Sequence, residues 1–557
     1  MTAHMKCFQF NKMKLLYLKI INRAFASVKT NNSSSYFVTT PIFYLNGVPH
    51  IGHLQSCLYA DAFARINRLL GKEVIFSTGT DEHGLKVLQA AETNKLTPID
   101  YCDEMSSTFE KAFKEANISY THFIRTTNVK HKEMVQDFWC KLDKNGHISK
   151  GKYTGWYSVI EEAFVPTAQV KEVREGSQFK TVSIETGSPV ERMEEENYVF
   201  CLPKFQNDLL YWLSKDVVKP LIFADDLKKW IEEGLTDLSI SRPRTRCSWG
   251  VPVPNDETQV VYVWLDALVN YLTVGKNAAQ SLEWPASCHV IGKDILKFHA
   301  IFWPAFLIAA GYEPPREIFC HSHWTVNYEK MSKSKGNVID PKLLIDKYDV
   351  DGFRYFLLRA SVPNSDTNYS ETKIHRMLNA ELCDTLGNLL SRSCAKSLNP
   401  QQIFPPFSHE AFCSLKETNI QHIIDSTSKL PETVKKHFLE GYFYKGIDSM
   451  LDCLRDTNAF VQHTKPWVLV KQQDTEAQQK LFTILHTVLE VLRICSLLLQ
   501  PIIPTLTAKV LAKIGVSEME RSWQNIICFP SFHNLPNKLE GQPLNNDNIP
   551  LYERRKS

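Results

Sequence analysis

From residue 36 to about 126 the sequence alternates extended and helical patterns in an order that a parallel sheet accommodates and an antiparallel one does not. Tyr36-Phe37-Val38-Thr39-Thr40 reads as a strand, Asn46-Gly47 as a turn and residues 55–70 as a helix. Glu73-Val74-Ile75-Phe76-Ser77 reads as the next strand, ending at Gly79. A strand that returns through a helix runs parallel to its predecessor, and ligands of such sheets sit in the crevice at the strands' carboxyl ends. The pattern is expected to resume at Gln259-Val260-Val261-Tyr262-Val263-Trp264 and at Cys288-His289-Val290-Ile291-Gly292. Residues from about 130 to 245 read as an insertion punctuated by Gly151, Gly155, Gly176 and Gly187. After about Asn379 the chain reads as helices, and residues 481–499 are apolar on nearly all sides, as in a buried bundle helix stopped by Pro501 and Pro504. The expected fold class is α/β: a Rossmann-type parallel-sheet domain with an inserted connective subdomain, followed by an all-α bundle. The expected divisions are sheet halves 34–130 and 246–330, an insertion 131–245, a connecting region 331–378 and a bundle 379–557.

At 557 residues the chain exceeds what one core can serve. A net charge of only +3 means that any nucleic-acid contact must come from local basic surface. Fourteen cysteines are scattered without a Cys-x-x-Cys pair, which argues against zinc knuckles and a disulfide framework and fits a reducing compartment. Residues 1–33 stand apart. Lys6, Lys12, Lys14, Lys19, Arg23 and Lys29 face no carboxylate before Asp61, and Ser27 and Ser33 follow a basic, apolar stretch. That composition is expected of a mitochondrial transit peptide, which places the mature chain in the matrix. No segment has the ~18–20 uninterrupted apolar residues of a membrane span, so no membrane partner is expected.

Two short segments carry the chemistry: His50-Ile51-Gly52-His53 and Lys330-Met331-Ser332-Lys333-Ser334. Alone, the first reads as two helix-start histidines without a ligand, since four residues match by chance easily, and the second as a solvated basic loop. As a functional pair, His50 and His53 are expected near the start of the helix that begins around Leu54, where free N–H groups and the dipole favour phosphate, and Gly52 lets an adenine lie close to the backbone. Lys330 and Lys333 sit on a loop suited to close over a triphosphate. In this order the pair resembles the two signatures of class I aminoacyl-tRNA synthetases.

Residues 36 to about 467 are similar to methionyl-tRNA synthetases, in outline to the mitochondrial, zinc-free type. The resemblance rests on Pro41-Ile42-Phe43-Tyr44-Leu45-Asn46-Gly47, Gly79-Thr80-Asp81-Glu82-His83-Gly84 and Tyr262-Val263-Trp264-Leu265-Asp266-Ala267. To these it adds Gly292-Lys293-Asp294-Ile295-Leu296-Lys297-Phe298-His299 with Trp303. It implies a methionine pocket of Ile42, Tyr44, Trp264, Ala267, Leu268, Tyr271, Ile295, His299 and Trp303, with Asp81 holding the substrate ammonium. Leu268 stands where some relatives carry proline, and the pocket stays apolar. The resemblance further implies an ATP-ribose contact at Gly292 and Asp294, and Arg242 near the reacting groups. Asn388, Arg392, Pro466 and Trp467 resemble the elements that read a CAU anticodon, although Trp467 beside Pro466 serves equally well as packing at a helix end.

The implied reaction is activation of L-methionine by Mg-ATP, then transfer to tRNA(Met), by a monomer without zinc. In the insertion, Tyr153-Thr154-Gly155-Trp156-Tyr157-Ser158 offers no thiolate, so aromatic packing through Trp156 and Tyr157 is expected to hold it. Synthetases for isoleucine, valine or leucine need a large inserted editing domain, for which the span between the signatures is short. A cysteinyl enzyme needs zinc-ligand cysteines. A non-catalytic RNA-binding relative is expected to lack His50, His53, Asp81 or Lys333, and all four are present.

Overall fold

Phe37, Val38, Thr39 and Thr40 are all buried, so this segment has no solvent face and takes a central place in a sheet covered on both sides. The computed structural model describes residues 35–158, 163–165, 169–175, 178–184, 187–277, 284–331, 336–472, 474–545 and 550–556. The expected N-terminal segment and Lys333 lie outside these residues.

The main sheet has seven strands, all parallel. Its order runs Val218–Lys219, Ile318–His321, Cys288–Gly292, Tyr36–Thr39, Val74–Asp81. Phe43–Tyr44 continues beside Asp81, and His122–Arg125 lies on the far side of Val74–Asp81. Tyr36–Thr39 pairs with Val74 through Ser77 on one flank and with Cys288 and His289 on the other. The chain leaves this strand toward one neighbour while the other arrives from far along the sequence, so a crevice opens at its carboxyl end. The helix Ile51–Leu69 packs across the sheet there.

Three expectations are corrected. Residues 259–264 do not resume the parallel sheet. Asp256–Val261 pairs antiparallel with Ser241–Pro243 and Pro252–Val253, and the chain is helical from Val263. A short apolar run fits a strand or a buried helix equally, and the place beside Tyr36–Thr39 is filled by Cys288–Gly292. The first helix starts at Ile51 rather than residue 55, because His50 caps it. The insertion is also less separate than expected, since Val218–Lys219 within it is an edge strand of the main sheet. Its β portion pairs Ile148–Ser158 with Glu191–Phe200 over ten residue pairs, beside a hairpin of Val170–Glu175 and Gln178–Ser183. Aromatic packing is present there: Phe164 meets Tyr153 and Tyr157 edge-on at 4.6 and 5.0 Å, and Arg192 covers Trp156.

Ile420–Leu439, Phe443–Thr464 and Thr475–Leu499 form the bundle. Thr475–Leu499 is long and apolar enough to cross a membrane, but its most apolar window is 94% buried among the other helices, which makes it a core helix. The bundle shares a core with the sheet domain: Phe443 packs on Tyr59 and Phe63 of the first helix at 5.6 and 5.2 Å. Arg354, fully buried on Pro341–Ala360, joins Asp61 of that helix to the backbone carbonyls of Pro501 and Ile502.

Candidate active site

His50 has extended backbone geometry and caps the helix that His53 belongs to. Its Nδ1 accepts from Gly52 N at 3.1 Å, while His53 Nδ1 accepts from His50 N at 3.1 Å. The two rings stack at 3.7 Å. A ring that accepts at Nδ1 is neutral and carries its proton on Nε2, so the reciprocal cap fixes both tautomers. This modifies the expectation of a phosphate site built from free helix N–H groups. Gly52 N is taken by His50, and Ile51 N donates to Ile339 O at 3.2 Å. The donors this helix start presents are imidazole N–H groups.

That second bond also brings the two signatures together, because Ile339 lies eight residues past Met331. Lys330 itself is on the short strand Glu329–Lys330, paired with Thr325 and Val326, and not on a loop as expected. Met331 lies beside Gly52: a Cβ there would stand 3.7 Å from Met331 Cε and only 2.9 Å from the His50 ring. Lys330 Nζ reaches Asp294 Oδ2 at 3.2 Å, and His323 Nε2 meets Asp294 Oδ1 at 3.1 Å. The Asp294 side chain is exposed, and His323 and Lys330 hold its carboxyl well below the usual carboxylate range. The structure thus brings His50, Gly52, His53, Gly292, Asp294 and Lys330 to the carboxyl-end crevice. Sequence reasoning missed His323. Its signal is position, two residues past the carboxyl end of the strand Ile318–His321.

A second group lies across the crevice. Tyr271 and Trp303 are fully buried and His299 nearly so, while Trp264 is half-buried and stacks on Phe298 at 3.6 Å. His299 Nδ1 donates to Ile295 O at 2.9 Å, which leaves Nε2 to accept from the Tyr271 hydroxyl at 2.8 Å. Burial lowers the His299 pKa to about 4, so the ring is neutral at physiological pH. Phe298–Phe302 is a π-turn leading into Trp303–Ala309. Pro304 lacks the N–H that the α-helical ladder needs, and the wider turn accommodates it while directing His299 inward. Ala267 and Leu268 are buried on Val263–Leu268. Ile295 is partly buried against this core. Ile42 instead packs with Phe37, Ile124, Val274 and Ala286, a neighbouring cluster.

Asp81 ends the strand Val74–Asp81 with only 8% exposure. Tyr44 pairs with it across the strands. The Tyr44 hydroxyl lies where a side chain on Gly84 would be, 2.6 Å from that Cβ position, so only glycine lets the two segments close. Arg242 is buried, donates to Ser241 O at 2.7 Å and covers the Tyr262 ring at 4.2 Å. It lines a cavity with His83, Gly84, Tyr157, Trp249 and Val263, on the Asp81 side of the crevice. In the bundle, Arg392 lies over the half-buried Trp467 ring at 5.5 Å, Asn388 is exposed, and Pro466 is buried at a helix start. Trp467 also packs against Leu398, Leu481 and Leu485.

Two imidazoles and a lysine at the carboxyl end of a parallel sheet, beside an aromatic pocket, define a site that handles a nucleotide and a small apolar substrate. A family model described as tRNA synthetases class I (M) matches residues 36–394. The mitochondrial methionine–tRNA ligase of Homo sapiens is 46% identical over 538 residues, covering 93% of this chain and 90% of that protein. The probable mitochondrial methionine–tRNA ligase of Dictyostelium discoideum is 43% identical, covering 92% of each. The Mycobacterium tuberculosis methionyl-tRNA synthetase in complex with methionyl-adenylate superposes with a TM-score of 0.85 at 35% identity, covering 93% of this chain and 100% of that one. The chain belongs to the class I tRNA synthetases, and within that class to the methionine family.

Proposed function

We propose that the chain activates L-methionine with Mg-ATP and transfers it to tRNA(Met) in the mitochondrial matrix. The methionine carboxylate attacks the α-phosphorus, the bond to pyrophosphate breaks, and methionyl-adenylate forms. A terminal ribose hydroxyl of the tRNA then attacks the adenylate carbonyl and AMP departs. The observation that carries this reading is the meeting of the two signatures, through Ile51 N on Ile339 O and Met331 beside Gly52, next to the Tyr271–His299 pocket.

His50 and His53 stabilise charge on the phosphates through Nε2–H, and Lys330 and Lys333 neutralise the departing pyrophosphate. Gly292 and Asp294 hold the ribose, and Arg242 lies near the reacting groups. Asp81 orients the ammonium, and Trp264, Tyr271 and Trp303 wall a polarizable thioether. The neutral His299–Tyr271 pair adds no charge to an apolar pocket. The bundle reads the CAU anticodon through Asn388, Arg392 and Trp467, the chain works as a monomer without zinc, and residues 1–33 direct import. Methionine-dependent ATP–pyrophosphate exchange, followed by charging of a CAU tRNA, tests the reading. Exchange driven by another amino acid, or none at all, refutes it.

A further inference from the structure

We propose that Asp266 is a positioning residue for the methionine site, holding the Asp81 loop and the Trp264 helix in one geometry through His83 and His131. The proposal rests on the reading that the pocket takes methionine. Asp266 is 1% exposed, on the short helix Val263–Leu268 between Trp264 and Ala267. Its Oδ2 accepts from His83 Nδ1 at 2.7 Å, and its Oδ1 accepts from His131 Nε2 at 2.9 Å. His83 stands two residues beyond Asp81, and its ring meets Trp249 edge-on at 5.6 Å. His131 belongs to Val129–Lys144, and its Nδ1 shares a 3.0 Å hydrogen bond with Thr273 Oγ1, two residues beyond Tyr271. One carboxylate therefore ties together the segments that carry Asp81, Trp264, Ala267 and Leu268, and through Thr273 the segment that carries Tyr271.

A buried charge is a poor way to gain stability, because apolar packing of similar volume does as well or better. What it supplies here is direction. Each carboxylate oxygen has one fixed donor, so the two walls cannot slide without stranding a charge. Burial pushes the Asp266 carboxyl up, but His83 and His131 hold it below the usual range, so the anchor stays ionised across the working pH. Asp266 itself acts through its neighbours.

The test is methionine-dependent pyrophosphate exchange by the full chain, with rates normalised by active-site titration, for Asp266→Asn, His83→Leu and His83→Asn. Asparagine at 266 cannot accept from both rings. Misplaced walls are expected to raise KM for methionine about 10–100-fold while KM for ATP moves less than about twofold. His83→Asn keeps a donor where Nδ1 stood and is expected to restore most of what His83→Leu loses. A folded Asp266→Asn with unchanged KM for methionine overturns the proposal, as does an equal loss in both His83 variants. Should Asp266→Asn fail to fold, the His83 pair decides. Wild-type protein without methionine-dependent exchange overturns the functional reading and this proposal with it.

Discussion

Replacing Arg354 with methionine isolates the seam between the catalytic half and the bundle. The guanidinium is fully buried. Its Nη2 contacts Asp61 Oδ2 at 2.6 Å and donates to Pro501 O at 3.0 Å. Nε donates to Ile502 O at 2.9 Å, and Nη1 reaches Asn117 O at 3.2 Å. Burial raises the Asp61 pKa, but Arg354, Arg65 and Ser119 together bring it from 3.8 to about 2. That depression corresponds to roughly 2–3 kcal/mol. Because the folded value lies below the unfolded one, this stability is present above pH 3.8 and is lost as the pH falls through about 2. Burial opposes the charge on Arg354 as well, so the net worth of the pair is smaller than the cost of breaking it. Removing one member strands the carboxylate, at a cost of about 3–5 kcal/mol. The lower end is expected, since Arg65 Nε still reaches Asp61 at 2.7 Å. Adding Asp61→Asn removes the stranded charge while its amide oxygen can still accept from Ser119, so the double variant should recover more than half of the loss. Urea unfolding followed by tryptophan fluorescence at neutral pH measures both. A single-variant loss under about 1 kcal/mol, or a double variant no better than the single one, refutes the reasoning.

If Asp81 is the partner of the substrate ammonium, as proposed, Asp81→Ala costs about 2–5 kcal/mol, and methionine activation should collapse in a folded protein that still binds ATP. Near-normal exchange kinetics would remove Asp81 from the site. Lys333→Ala should lower kcat for adenylate formation far more than it weakens ATP binding, and a loss confined to ATP affinity would make the lysine a ground-state contact. Burial holds His299 and His321 at about 4, below the unfolded 6.5, so the unfolded chain binds more protons between those values. Stability should therefore fall as pH drops from 6.5 toward 4. His321→Gln should make the fall shallower, and an unchanged slope in urea titrations would refute the assignment. Trp467→Ala should cut charging at limiting tRNA by roughly 5–150-fold, the worth of one stacked base, and leave pyrophosphate exchange near wild type. Charging that is unaffected with the bundle intact by circular dichroism would move the anticodon site elsewhere.

The catalytic crevice was legible because its parts are local. A strand, a turn and a helix opened by His50 lie within some 35 residues, and the 3.6- and 2-residue periods report each element directly. The bundle core was legible for the same reason: residues 481–499 are apolar on nearly all sides, as in a buried helix, and their one charged pair, Glu490 and Arg493, is buried with them. Misreading began where one apolar run served two conformations. Val260 and Val261 are strand while Val263 and Trp264 are helix, and nothing in the hydrophobic pattern marks the change at Tyr262. The edge strand Val218–Lys219 was invisible because two residues carry no periodicity at all.

The pattern among the site residues has a different cause. The motif positions proposed to face the substrate stand in order along the chain, and that order made Trp264, His299 and Trp303 recognisable. His83 and Asp266 lie inside the same motifs, but nothing in that order says that they meet. His83 and Asp266 are 183 residues apart, His131 and Asp266 are 135, and Tyr59 meets Phe443 only because two domains share a core. In sequence, Asp266 stands within a motif but carries no mark of its partners, and solvent is the ordinary destination of a carboxylate. Burial makes it consequential, since an ionised group without water must take its solvation from fixed donors. Those donors then dictate where its neighbours stand. Residues of this kind are found by asking what satisfies each buried charge, and here the answer leads from His83 and His131 to both walls of the proposed methionine pocket.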